Sequence, residues 1–353
     1  MNTSLQDYGF VPFFAQQTSL DDIEQGRVGR VIEVQRSLIT VIGGSEERSI
    51  PLSSSWHNAA PEDRPTVGDW VVLDEQCSKV ERVLDRKSVF QRVAAGERSE
   101  IQLIAANIDI LFVVTSCNEE FKESRLERYL ALAAEAGVIP VVVITKIDLS
   151  NDPDSYVERA RSVQPGVHVE SINALDKSTF DGVTAWIEPG STIALVGSSG
   201  VGKSTLLNTV AETRIAATGE IRADDKKGRH TTSHRALHRL PGGGLLIDVP
   251  GIREVKVAEV DAALATVFKD IEVLASNCRF TDCLHQAEPG CAVRKAVENG
   301  DIETRRLVSY QKLLRENERN SASLAEKRLQ GRAFAKHVKQ VKALKKRDQG
   351  TQN

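Results

Sequence analysis

The sequence predicts a multidomain chain: an N-terminal β-barrel, a central α/β domain on a mostly parallel sheet, and a C-terminal mostly α-helical, metal-binding domain. Three observations carry this. Short β-runs broken by turn residues fill residues 27–92. Apolar strands alternate with helical stretches from about 101 to 260, the pattern of a sheet covered on both faces. Three cysteines and a histidine then fall within 278–291, ahead of a long basic stretch. The boundaries drawn from these changes are an extension at 1–26, the barrel at 27–92, the α/β domain at 93–260 and the C-terminal domain with its basic tail at 261–353.

Residues 1–26 show no clear period. Three phenylalanines there can dock on the body or on a partner, and nothing in the sequence decides. The runs "GRVGRVIEVQ", "SLITVIGG", "RSIPL", "VGDWVVLD" and "KVERVLDRK" each read as a strand. Five such strands in this length fit an OB-fold, a module that often grips nucleic acid, although a fold alone does not assign function. "DRKSVFQR" adds Lys and Arg around an aromatic, in keeping with that use. In the central region "IDILFVVTS", "IPVVVIT", "VHVES", "TIALVG" and "GLLIDV" read as strands, and "ESRLERYLALAAEAG" as an amphipathic helix stopped by Gly137.

Hydrophobic residues are 41% and charged residues 27% of the 353, ordinary for a soluble protein. The formal net charge of −3 hides an asymmetry. Residues 301–347 hold 14 Lys/Arg against 5 Asp/Glu, a net of +9, whereas residues 1–300 hold 32 against 43, a net of −11. Such a tail suits an anionic partner, or is a solvated helix with surplus lysines. No Lys or Arg precedes Arg27, as a signal or transit peptide would require, and runs such as "VIPVVVI" are too short to cross a bilayer. The expectation is a cytoplasmic monomer without membrane contact, whose five cysteines bind metal or pack as thiols.

"GSSGVGKS" matches the phosphate-loop spacing in full, between a strand and a helix. The run Gly197, Ser198, Ser199, Gly200, Val201 and Gly202 lets backbone N–H groups point at phosphate oxygens. Lys203 is expected at the β/γ-phosphates and Ser204 on Mg²⁺, with Thr205 next in the first turn. "DVPG" supplies Asp248 for Mg²⁺ and the Gly251 N–H for the γ-phosphate. In "GRHTT", Thr232, preferred over Thr231, is expected to close on Mg²⁺ when the γ-phosphate is present.

"TKID" follows an apolar strand. Asp148 there can accept from the N1 and N2 donors of guanine, a pair that adenine lacks. The Lys146 stem can pack on the ring, and Thr145 stands where GTPases usually carry Asn. "SINAL" is the second base loop, with Asn173 and Ala174 at the usual Ser-Ala and the Ala174 N–H available to guanine O6. Base loops before phosphate loop is the GTPase order cut and rejoined, which a parallel sheet tolerates when the old termini lie close together. Ile252 occupies the place where a Gln often orients the attacking water, so a low intrinsic rate is expected. His230 is the candidate for that task, or else a solvated loop histidine in contact with RNA.

Cys278, Cys283, His285 and Cys291, spaced C-x4-C-x-H-x5-C, suit a tetrahedral zinc ion. Cys77 and Cys117 read as packed thiols.

Together "TVGDWV", "RKSVFQR", "TKID", "GSSGVGKST", "GRHTT", "DVPG" and the cysteine cluster resemble the circularly permuted, small-ribosomal-subunit-dependent GTPases (the RsgA/YjeQ family) over about residues 27–300. The resemblance implies an OB-fold, a permuted GTPase domain and a zinc domain. It implies GTP hydrolysis to GDP stimulated by the small ribosomal subunit, a role in late maturation of that subunit, and rRNA contacts from the two flanking domains. It points to His230 as well. Thr145, Asn173 and Val249 depart from the family's common residues. Two other readings stay open: a switch acting on a protein partner without RNA, and an RNA-binding zinc protein with a vestigial nucleotide site.

Overall fold

In the computed structural model, the described residues are 4–35, 37–44, 46–93, 101–213, 235–248 and 261–321. Five antiparallel strands follow the N-terminal segment: β1 (Val28–Val34), β2 (Leu38–Gly43), β3 (Glu46–Pro51), β4 (Trp70–Leu73) and β5 (Val80–Val83). They run in the order β3-β2-β1-β4-β5. Alternation sends Val31, Ile39, Val41, Ile50, Val71, Leu73 and Val80 into one core. The opposite faces of β1 and β4 carry Val28, Trp70 and Val72, covered by Phe10 and Phe14 of the N-terminal segment. Phe10 meets Trp70 edge to face at 4.9 Å. That segment holds the short helices α1 (Pro12–Ala15) and α2 (Leu20–Glu24), and α3 (Ser54–Asn58) lies between β3 and β4. The phenylalanine question left open by the sequence is thereby answered for Phe10 and Phe14, which pack on the barrel strands.

Strands β6 (Val89–Val93) and β7 (Ile101–Ala106) form a separate antiparallel pair. Phe90 turns into the main core, Arg86 forks onto buried Asp69 at 2.7 and 2.8 Å, and Lys87 pairs with Asp109 at 2.6 Å. The segment read as basic residues around an aromatic, in keeping with a nucleic-acid grip, thus spends these three side chains on structure.

The strands β8 (Ile110–Ser116), β9 (Ile139–Thr145), β10 (His168–Ser171), β11 (Thr192–Val196) and β13 (Leu245–Asp248) are parallel, in the order β10-β9-β8-β11-β13. The intervening β12 (Arg235–Arg239) runs antiparallel beside β13 and also pairs with β1, joining the two sheets. Its charged "RALHR" pattern carries no apolar run, which is why the sequence reading passed over it.

Helices α4 (Glu123–Ala136), α5 (Pro153–Val163), α6 (Asp181–Thr184) and α7 (Lys203–Ala211) belong to this region. Helix α4 ends on Gly137 at φ +68°, as its position predicts. Beyond it come α8 (Asp261–Val267), α9 (Lys269–Ala275), α10 (Ala292–Asn299) and the helical residues 304–321, here α11. Leu264, Phe268, Ile271, Val293 and Leu313 join the same apolar cluster as Leu126 and Leu130 of α4. Arg306 of α11 anchors the contact from a nearly buried position. It forks onto Asp270 at 2.7 and 2.8 Å and donates to Glu127, Val163 and Val267 at 3.1, 2.9 and 2.9 Å. Among the described residues no helix is long and apolar enough to cross a membrane.

Candidate nucleotide site and metal centre

The C-terminal ends of parallel strands are where α/β sheets bind ligands, and the phosphate loop and the two base loops follow β11, β9 and β10 there. Residues 197–202 leave β11 and open α7. Gly197 sits at φ +148°, and a Cβ there would lie 2.2 Å from the Val114 carbonyl oxygen. Gly202 is the N-cap of α7 at φ +91° and brings no side chain to cap the helix, whose N-terminus faces the loop. Lys203 reaches back across the loop and donates to the Ser198 carbonyl. Ser204 and Thr205 follow in the first turn.

Thr145 ends β9 and is fully buried. Its Oγ1 lies 2.6 Å from the Val201 carbonyl oxygen and 3.1 Å from that of Thr115; its single proton favours the nearer. Lys146 adopts φ +61° and donates from Nζ to the Gly200 carbonyl at 2.7 Å. Two hydrogen bonds thus fasten the "TKID" loop to the phosphate loop across more than fifty residues of sequence. The hydroxyl of Thr145, which stands where GTPases usually carry Asn, makes one of these inter-loop contacts. Asp148 follows in an exposed turn, Ile147–Leu149. Burial pushes the neighbouring Cys117 thiol up to about 11, and the Asp148 charge adds to the shift, so this cysteine is a neutral packed thiol.

The second base loop follows β10. The Asn173 Oδ1 accepts the Leu175 N–H at 3.0 Å, so this side chain shapes its own loop. Buried Ala174 accepts from Thr209 Oγ1 of α7 at 2.9 Å, a residue the sequence reading missed because nothing local marks it. Asp248 ends β13, beside β11. His230, Thr231, Thr232, Gly251 and Ile252 lie outside the described residues.

The metal centre stands apart, between α9 and α10. The ligand atoms of Cys278, Cys283, His285 and Cys291 all lie within 4.8 Å of one another. Cys278 Sγ is 3.9 Å from Cys291 Sγ, and the His285 Nδ1 is 3.7 and 3.4 Å from those two sulfurs. Zinc at ordinary bond lengths sets tetrahedral edges of ~3.8 Å between thiolates and ~3.6 Å between thiolate and imidazole. The four residues therefore fit one zinc ion. Cys291 is also the N-cap of α10, its sulfur accepting the Arg294 N–H at 3.4 Å.

The model of the RsgA GTPase family matches residues 83–258. The small ribosomal subunit biogenesis GTPase RsgA 2 of Vibrio parahaemolyticus is 46% identical over 347 residues, covering 98% of this chain and 94% of its own. The chain belongs to the RsgA GTPase family. A second relative, the small ribosomal subunit biogenesis GTPase RsgA of Mesorhizobium japonicum, is 41% identical, with 90% of this chain and 91% of that one covered. Among solved structures, YjeQ from Thermotoga maritima superimposes with a TM-score of 0.60 at 25% identity, over 82% of this chain and 98% of that one. YloQ, described as a circularly permuted GTPase, gives 0.56 at 25%, over 82% and 94%. The RsgA arrangement explains the order of loops. In the sheet β8 lies beside β11, although in the chain the base-side strands β8, β9 and β10 all come first.

Proposed function

We propose that this chain is a GTPase of small-ribosomal-subunit biogenesis, which binds GTP in the site above and hydrolyses it to GDP and phosphate when docked on the subunit. The observation that carries the nucleotide reading is the pair of hydrogen bonds from Thr145 and Lys146 to the phosphate loop. They fasten the loop that carries Asp148 to the loop that leads into Lys203, which supports a shared site in which Asp148 selects guanine. The printed names of the relatives supply the subunit.

In this reading the 197–202 backbone cradles the phosphates, Lys203 pairs with the β/γ-phosphates, Asp148 accepts from guanine N1 and N2, and the Ala174 N–H donates to O6. Ser204, Thr232 and Asp248 hold Mg²⁺, which when bound offsets phosphate charge. Gly251 donates to the γ-phosphate and His230 orients the attacking water. Cys278, Cys283, His285 and Cys291 hold a structural zinc. The barrel strands form an OB-fold, a reading supported by the β1-β2-β3 meander, the β1-β4 and β4-β5 pairings and the helix between β3 and β4. This barrel and the zinc domain contact rRNA, the boundaries are those drawn from the sequence, and the protein acts as a cytoplasmic monomer.

The deciding experiment measures GTP and ATP turnover with and without purified small subunits, for the native chain and His230→Ala. Subunit-stimulated turnover of GTP alone, largely lost in H230A with GTP binding intact, is expected. Equal use of ATP, or indifference to the subunit, would overturn the function; full stimulation in H230A would remove only the histidine's role.

A further inference from the structure

We propose that Thr209 is a positioning residue for guanine recognition: from the phosphate-loop helix, it holds the peptide segment whose N–H reads O6. The inference rests on the guanine-nucleotide reading of this site.

The second base loop is held mostly from within. Asn173 donates its N–H to Thr179 Oγ1 at 3.1 Å, its carbonyl accepts the Asp176 N–H at 2.9 Å, and its side chain takes the Leu175 N–H. Among the hydrogen bonds of the described residues none uses the Ala174 N–H, which leaves that donor for a ligand. Few contacts fix this loop from outside. Leu175 is 81% exposed and packs little. The ion pair of Lys177 with Glu212 at 2.9 Å joins two largely exposed side chains, a kind worth little in water. The Thr209 hydroxyl, 2.9 Å from the Ala174 oxygen, is the partly buried polar tether, and the Ala174 methyl packs in the core beside Val201 and Leu206.

Thr209 lies on α7, the helix that begins at Lys203. One rigid element therefore carries the phosphate-pairing lysine at its start and the tether of the O6-reading loop farther along. A helix hydroxyl in this role selects among bases without touching one. Its removal loosens only the orientation of Ala174, so the loss appears with a base whose position 6 accepts a hydrogen bond and fades with one whose position 6 does not.

The test compares GTP with 6-thio-GTP, which keeps the N1 and N2 donors and replaces O6 by a weakly accepting sulfur. Dissociation constants are measured for the native chain, Thr209→Val, which keeps the shape, and Thr209→Ser, which keeps the hydroxyl. The native chain should bind GTP about tenfold tighter than 6-thio-GTP. T209V should lose about fivefold in GTP affinity and little in 6-thio-GTP affinity, and T209S should restore the difference. Thr209→Ala gives the same comparison should valine pack badly. Equal losses for both nucleotides, or an unchanged preference in T209V, would overturn the role while leaving the site's guanine reading intact. If the native chain binds ATP as tightly as GTP, the guanine reading itself fails, and this inference fails with it.

Discussion

Replacing Arg306 with methionine should release the C-terminal helices from the α/β region without unfolding the sheet. Arg306 is 7% exposed and serves Asp270, Glu127 and the carbonyls of Val163 and Val267. Asp270 can rehydrate, since its side chain is 38% exposed; Glu127 cannot, at 0%. In R306M the Glu127 carboxylate keeps only Arg305, at 3.0 Å, and its Oε2 already has no partner. Breaking one side of such a buried pair costs about 3–5 kcal/mol. That raises the opening equilibrium of the C-terminal helices by about a hundredfold to several thousandfold. Native-state hydrogen exchange reads this directly: protection should fall by that factor in α8, α9 and α10 and hold in β8 and β9. The double variant R306M/E127L should regain most of it, because two buried charges leave together. Loss of less than tenfold in α8–α10, or a double variant no better than the sum of its singles, would refute this account.

The same contact carries a pH dependence. Burial raises the Asp270 carboxyl, but the hydrogen bonds and charge of Arg306, with the backbone N–H groups of Ile271 and Asp270, together outweigh it and hold the group below its ordinary 3.8. A folded pKa below the unfolded value stabilises above the unfolded pKa and is lost as pH falls through the folded one. Helix protection in 261–299 should therefore fall below about pH 4, and R306M should flatten that slope. Asp148→Asn should weaken GTP about a hundredfold and improve binding of xanthosine triphosphate, measured by nucleotide competition, since the amide presents a donor where the carboxylate accepted. Thr145→Val leaves the buried Val201 carbonyl unpaired, at a cost of about 1–3 kcal/mol; thermal unfolding should show it, and Thr145→Ser should recover part. Stripping zinc with a chelator should unfold the 276–299 region, read by circular dichroism and metal analysis, and Cys283→Ser should do the same without chelator.

Much of the site was legible because its chemistry is local. The phosphate loop needs glycines at fixed spacing before a helix, and Gly197 and Gly202 take the positive φ that the spacing implies. The four candidate metal ligands lie within one short segment, so the sequence alone sets which four atoms meet. Apolar runs announced β8, β9, β11 and β13, since a strand covered on both faces has no polar side to disguise it, whereas the edge strand β10 is polar and partly exposed. Other features depended on which distant segments meet, and single residue types do not encode that. Thr145 reads as a departure from Asn until the Val201 carbonyl is placed 2.6 Å away. Glu127 and Arg306 look like surface charges on two helices until packing buries both and makes each the other's counterion. The inward turns of Phe90 and Phe10, the pairing of β12 with β1 and the tether from Thr209 to Ala174 are of the same kind. Local backbone chemistry was written in the order of residues; the partners of buried polar groups were decided only when the chain closed on itself, because a buried donor or acceptor must find its mate wherever the fold supplies one.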